Sequence, residues 1–173
     1  DAQTGAIDAD DLTIARIQRN ATYLATSDNL RQSSEATCLA VCARMVLAYA
    51  GDLRSEQELV SLLGIDPSYG APASRILRLE RLGYRVVYDS VSLSLLRSAL
   101  ERNIPPIVLL KTGFLGYWSE NVSHACLLTG IAETHVFLHD PWLPSGPVTV
   151  TRTEFIAAWT EMDYLAAMIT PLR

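Results

Sequence analysis

Lysine is nearly missing from this 173-residue chain: Lys111 stands alone against thirteen arginines, and no function follows from the imbalance. Basic clusters are missing too, and the formal net charge is −5. An acidic chain without a basic patch is poorly suited to nucleic acid or to an anionic membrane surface. No apolar run approaches the roughly 20 residues of a membrane-spanning helix, so membrane insertion is not expected. Cysteine is scarce and odd in number, three in all, with Cys38 and Cys42 at i, i+4 spacing. That pattern is neither a disulfide framework nor a standard zinc motif. Free thiols without a transmembrane segment favour a soluble, cytoplasmic protein. A start at Asp1 rather than Met leaves room for a secreted protein whose signal peptide was removed, or for a fragment of a larger one.

What is present is a well-stocked core. Apolar residues make up 49% of the chain and charged ones 19%, which describes a globular protein long enough for one substantial core. Residues 1–9 read as a loose arm. Asp10 and Asp11 are placed to cap an amphipathic helix carrying Leu12, Ile14, Ile17 and Tyr23. The expected division is an N-terminal arm and helix over 1–29, then a single domain over 30–173.

That domain is organised around Gln32 to Tyr49. From Leu39 to Tyr49 every residue but Arg44 is apolar or small, the pattern of a helix buried nearly all round. Ser33, Ser34 and Thr37 are each able to cap its start, which puts Cys38 at the helix N-terminus. There the orphan N–H groups and the positive end of the macrodipole favour a thiolate. Gln32, six residues upstream, lies in the loop that leads into the helix. A thiolate with a carboxamide beside it suits acyl transfer: sulfur attacks a carbonyl, and the Gln32 amide with the Cys38 N–H holds the developing oxyanion. Two considerations weigh the other way. A Cys in an apolar helix is more often a small core residue, as Cys42 is expected to be, and Glu35 nearby would raise the thiol pKa.

Beyond this helix, Ser55-Glu56-Gln57-Glu58 is a capping box leading into a short helix that closes at Gly64. Ile76, Leu77, Leu79 and Leu82 mark another, ending at Gly83. Strands are expected over Tyr84–Tyr88, Ile107–Leu110, His124–Ile131, His135–Asp140, Pro147–Thr151 and Tyr164–Thr170. Helices follow Ser92 and Thr151, and Thr112 to Ser123 is an aromatic, aperiodic loop. Helices first and an antiparallel sheet afterwards is the α+β pattern, with the central helix packed across the sheet.

Of three histidines, His135 and His139 sit inside a strand and read as structural. His124 stands where the aromatic loop meets a buried strand, a favoured place for a general base. If the turn at Ala132-Glu133-Thr134 holds an odd number of residues, His124, Cys126 and Asp140 share a face; a two-residue turn splits them. In the first case Asp140 orients the His124 imidazole. A metal set of Cys38, His124, Cys126 and Asp140 is conceivable on that face, but no ligand motif supports it.

Taken together, Gln32 with Cys38 six residues on, the run Cys-x₃-Cys-x₂-Met, His124 heading a strand and Asp140-Pro141 ending the next resemble the papain-like cysteine peptidases. The C39-like peptidase family is most similar, and Thr112-Gly113-Phe114-Leu115-Gly116-Tyr117-Trp118 and Glu154-Phe155 to Trp159 are also like its members. The resemblance spans roughly residues 30 to 170. It implies a papain-like fold, Cys38 as nucleophile, His124 as base, Asp140 as orienter and Gln32 in the oxyanion hole. Thr37-Cys38-Leu39 stands where that family often has Asp-Cys-Gly, and the transporter fused to its leader peptidases is not found here; both speak against cleavage of double-glycine leaders. The expected activity is hydrolysis of peptide or protein substrates with no metal or organic cofactor, with Tyr117, Trp118 and Trp142 lining the substrate cleft. The alternatives are an acyltransferase or amidase using the same triad, and a catalytically silent peptide-binding domain of the same fold.

Overall fold

The computed structural model describes residues 22–23 and 28–172. Its centre is helix α1, Cys38–Tyr49, with Leu39 to Ala43 and Met45 to Leu47 all buried. Arg44 is the single polar break, and its Nε donates to Arg54 O at 2.9 Å, so the break is satisfied. The expected capping does not occur. Thr37 holds the N-cap position, but its hydroxyl donates backwards to Ser34 O at 3.1 Å. The Ser33 hydroxyl donates to Glu56 instead. The first N–H groups of α1 are therefore not taken by a capping side chain.

The local signals further along behave as their chemistry predicts. In α2, Glu56–Leu63, the Ser55 hydroxyl accepts from Glu58 N, and Gly64 closes the helix at φ 63°. Residues Ala73–Leu82 form a 3₁₀ helix rather than an α-helix. With three residues per turn, Ala73, Ile76, Leu79 and Leu82 fall in one row; Ile76 and Leu79 are buried, while Leu77, off that row, is 41% exposed. Helix α3, Leu93–Glu101, is capped by Ser92, and α4, Arg152–Thr160, by Thr151.

The strands are β1 (Thr22–Tyr23), β2 (Tyr84–Ser90), β3 (Ile107–Lys111), β4 (Ser123–Ile131), β5 (His135–His139), β6 (Val148–Thr151) and β7 (Leu165–Pro171). They form one sheet in the order β2-β7-β3-β4-β5-β6, with β1 beside β4, and every pairing is antiparallel. Tyr23, expected on the apolar face of a helix, instead pairs with Gly130 in β1; Leu12, Ile14 and Ile17 of that expected helix lie outside the described residues. Alternation along the strands feeds two cores. Ile107, Leu109, Ala125 and Leu127 pack with α1, α2 and the 3₁₀ helix. Val108, Leu110, Cys126 and Leu128 pack with α3 and α4. This is the α+β, papain-like arrangement of a central helix on an antiparallel sheet. No helix among the described residues is long and apolar enough to cross a membrane.

One irregularity in the sheet decides the geometry of the site. The β4–β5 turn is only Glu133-Thr134, closed by Ala132 N–H on His135 O at 2.8 Å. A two-residue turn alone would put His124 and Asp140 on opposite faces. The register, however, steps from Gly130↔Phe137 to Leu128↔Leu138, so Thr129 is an extra residue, a β-bulge. Its side chain is fully buried and its hydroxyl donates to Phe137 O at 3.2 Å. Past the bulge Leu127 faces His139, and continuing that register puts Cys126 opposite Asp140. The bulge supplies the odd residue that the turn lacks.

Candidate active site

Cys38, His124 and Asp140 come together where the first turn of α1 runs past the start of β4. His124 Nε2 lies 2.6 Å from Asp140 Oδ1, with the two side chains 4% and 0% exposed. The other ring nitrogen, Nδ1, is left for the Cys38 thiol, and the two side chains are hydrogen-bonded. His135 is occupied elsewhere, its Nδ1 within 2.7 Å of the Thr134 hydroxyl.

The sulfur of Cys38 sits in a field built for a thiolate. Burial pushes its pKa up, but the His124 imidazole and the N–H groups of Ala125 and Leu39 outweigh it, and the net shift is downward. Glu35, expected to oppose this, is not among the groups that perturb Cys38. In His124, burial lowers the pKa, but the hydrogen bonds to Asp140 and to Cys38 prevail, and it is pushed up to about 9. Both shifts favour the thiolate–imidazolium form of the pair. Cys42 and Cys126 are the opposite case: both are fully buried, and burial drives both thiols well above the ordinary value.

Asp140 is held by four donors. Oδ1 accepts from His124 Nε2 and, at 2.8 Å, from the Trp142 N–H. Oδ2 accepts from the Tyr117 hydroxyl at 2.6 Å and from Trp118 Nε1 at 3.0 Å. Burial alone would raise its pKa, but His124, the Tyr117 hydroxyl and the Trp142 N–H bring it below the usual carboxylate range. Trp118 also covers the imidazole, with ring centroids 4.9 Å apart, and stacks on Trp142 at 5.5 Å.

Tyr117 and Trp118 can only do this because their loop is braced. Gly116 N–H donates to Glu154 Oε2 at 2.8 Å, and Glu154 is in turn fixed by the capping Thr151. A Cβ at position 116 would lie 3.1 Å from that oxygen, so glycine permits the close approach. Below it, the buried Thr112 hydroxyl donates to Glu120 O at 2.6 Å and accepts from Val122 N–H.

Gln32 is buried beside the site. Its backbone N–H donates to Pro141 O at 2.7 Å, and its Nε2 donates to Ser34 O at 2.7 Å, leaving one Nε2 proton unassigned. Asn29 strengthens the same junction, its Nδ2 donating to Asp140 O at 3.1 Å and to Leu143 O at 2.9 Å. Neither the Asn29 clamp nor the Glu154 brace was visible in the sequence, since each joins residues far apart in the chain and neither matches a local motif.

A cavity of about 300 Å³ opens at the site, walled by Gln32, Tyr117, Trp118, His124 and Trp142 among others. A wider groove of about 490 Å³ beside α2 involves none of these residues. The ligand atoms of His124, Cys126 and Asp140 lie within 4.8 Å of one another, yet the donor set does not suit a metal. Each Asp140 oxygen already accepts two hydrogen bonds, and burial keeps the Cys126 thiol protonated.

A C39-like peptidase structure from Bacillus anthracis superposes with a TM-score of 0.70 at 18% identity, over 86% of this chain and 96% of that one. The peptidase domain of Streptococcus ComA, a bifunctional ABC transporter of a quorum-sensing pathway, gives 0.66 at 16% identity, over 82% and 96%. A double-glycine-motif protease from an AMS/PCAT transporter gives 0.65 at 18% identity, over 84% and 93%. At such identities the likeness is one of fold. No curated protein sequence matches significantly. The sequence profile of the peptidase C39 family matches residues 27–168, most of the chain, and with it this protein belongs to that family.

Proposed function

We propose that the chain is a cysteine peptidase that hydrolyses peptide bonds through an acyl-enzyme on Cys38. The observation that carries this reading is the Cys38–His124 pair at the N-terminus of α1, backed by an Asp140 carboxylate with four donors. The Cys38 sulfur attacks the scissile carbonyl carbon, and the carbonyl oxygen becomes an oxyanion. The Cys38 N–H and the remaining proton of Gln32 Nε2 stabilise it. The C–N bond then breaks as His124 gives its proton to the leaving amine, and a thioester remains. Neutral His124 next takes a proton from water, whose oxygen attacks the thioester; the C–S bond breaks and the thiolate–imidazolium pair returns. Asp140 keeps the imidazole oriented throughout. Tyr117, Trp118 and Trp142 line the cleft that takes the peptide.

The test is digestion of a proteome-derived peptide library by the wild-type chain and by Cys38→Ala, with new termini mapped by mass spectrometry. Cleavage by the wild type alone, and a covalent adduct on Cys38 captured by rapid acid quenching, is the expected result. Equal cleavage by both proteins, or none by either, sinks the reading.

A further inference from the structure

The cavity beside His124 has a one-sided chemistry that bears on which substrates fit. This inference rests on the peptidase reading. Its walls include Gln32 and His124 but not Cys38. His124 must protonate the leaving amine, so the space on its side belongs to the residue that follows the scissile bond.

The charged side chains of that wall, His124 apart, are two carboxylates, Glu35 and Glu120, with the hydroxyls of Ser119 and Ser123 beside them. The Tyr117 hydroxyl and the Trp118 Nε1–H are already spent on Asp140. Glu35 and Glu120 border the cavity, both exposed, and neither is in an ion pair among the described residues. Gln32, only 7% exposed, presents a buried Oε1 with no partner among the described residues. No Lys or Arg lines the space. The apolar wall is the stacked Trp118–Trp142 pair, with Trp142 41% exposed, and an indole face attracts cations. Two carboxylates, a buried acceptor and an aromatic platform together suit a donor-rich cation.

We propose that this cavity selects a Lys or Arg side chain at the residue immediately after the cleaved bond, held between Glu35 and Glu120 and laid against Trp142. An anionic residue there meets two carboxylates and no Lys or Arg.

The same peptide-library digestion tests this. Lys and Arg should be enriched directly after the cut by about tenfold over Ala, and Asp and Glu should be depleted. A double Glu35→Gln/Glu120→Gln variant should lower the Arg-to-Ala ratio by about tenfold, and Glu120→Arg should shift preference toward Glu. Glu133→Gln, a surface carboxylate in the β4–β5 turn, should leave the ratio unchanged although it alters net charge equally per residue. Cleavage without preference at that position, or a preference that the double variant retains, overturns the inference and leaves the peptidase reading standing. Absence of any Cys38-dependent cleavage overturns both.

Discussion

Trp118 touches both members of the buried ion pair: its Nε1 lies 3.0 Å from Asp140 Oδ2, while its ring lies 4.9 Å from that of His124. One side chain thus orients the carboxylate and keeps water off the imidazole. The two roles separate by substitution. Trp118→Phe keeps a ring over His124 but removes a donor from Asp140, and Tyr117→Phe removes the other donor on the same oxygen. Each should lower kcat/KM by roughly ten- to a hundredfold, the worth of one hydrogen bond to a charged group. Tyr117→Phe should also raise the pKa of Asp140, because the Tyr117 hydroxyl is among the donors that hold it low. Activity should then be lost at a higher pH on the acid side than in the wild type. A Tyr117→Phe profile that scales down without moving would make Tyr117 a wall residue only.

The alkaline limb has a different owner. His124 is pushed up to about 9 by Asp140 and Cys38 against the effect of burial. As pH rises through that value the imidazolium is lost, and with it the acid that protonates the leaving amine. The kcat/KM profile should fall above about pH 9 and should also fall on the acid side where the Cys38 thiolate gains a proton. The same raised pKa stabilises the fold: the contribution is complete below about 6.5, the unperturbed histidine value, and vanishes as pH rises through about 9. Urea unfolding at several pH values should show that loss in the wild type and not in His124→Gln.

How much of this was legible without coordinates depends on range. Local chemistry read well: Ser55 capping α2, Gly64 ending it, and Cys38 at a helix start all follow from neighbours in sequence. The row of Ala73, Ile76, Leu79 and Leu82 has a period of three, so its 3₁₀ character was in principle readable. The His124–Asp140 contact was expected from an odd-numbered turn, but it arises from an even turn corrected by the bulge at Thr129. A bulge leaves no mark in an apolar strand such as Cys126-Leu127-Leu128-Thr129-Gly130 except a buried hydroxyl and a glycine, both open to other readings. Asn29 on Asp140 O and Glu154 on Gly116 N–H are hydrogen bonds across 111 and 38 positions. Nothing local encodes them.

The bulge is testable through its own hydroxyl. Thr129 Oγ1 donates to Phe137 O at 3.2 Å inside the core. Thr129→Val keeps the shape and removes this hydrogen bond, which should cost about 0.5–1.5 kcal/mol, read as a lower denaturation midpoint with an unchanged m-value. Deleting Thr129 restores an uninterrupted two-residue hairpin and turns His124 away from Asp140. Cys38-dependent cleavage should disappear in a deletion variant that still folds by near-UV circular dichroism. Retained cleavage in that variant would mean that the register of β4 does not govern the site.

Gln32 carries a sharper kinetic expectation. Its backbone is tied to Pro141 O and its Nε2 to Ser34 O, so the amide is held in place before substrate arrives. A donor that acts on the oxyanion is felt only in the transition state. Gln32→Ala should lower kcat by roughly a hundredfold or more with little change in KM. Gln32→Glu replaces the donor with a negative charge and should be worse. An unchanged kcat in the alanine variant would reduce Gln32 to a loop anchor.

One reagent separates the thiols. Cys38 is partly accessible, beside His124 and with a lowered pKa, whereas Cys42 and Cys126 are fully buried with raised ones. Thiolate fraction and access both set the rate of alkylation. Iodoacetamide at pH 7, where an ordinary thiol is only a few per cent ionised, should therefore modify Cys38 well before the other two, as mapped by mass spectrometry of tryptic peptides. His124→Ala should slow Cys38 specifically, because the cation that stabilises its thiolate is gone. Asp140→Asn should slow it less, since the imidazole stays but its charge is no longer backed by a carboxylate. A silent binding domain of this fold would instead show three slow thiols and no response to His124. A metal held by Cys38 and Cys126 would protect both until a chelator is added. If Cys38 reacts no faster than Cys42 or Cys126 below about pH 8, where an unperturbed thiol is still mostly protonated, the acyl-enzyme mechanism has no nucleophile.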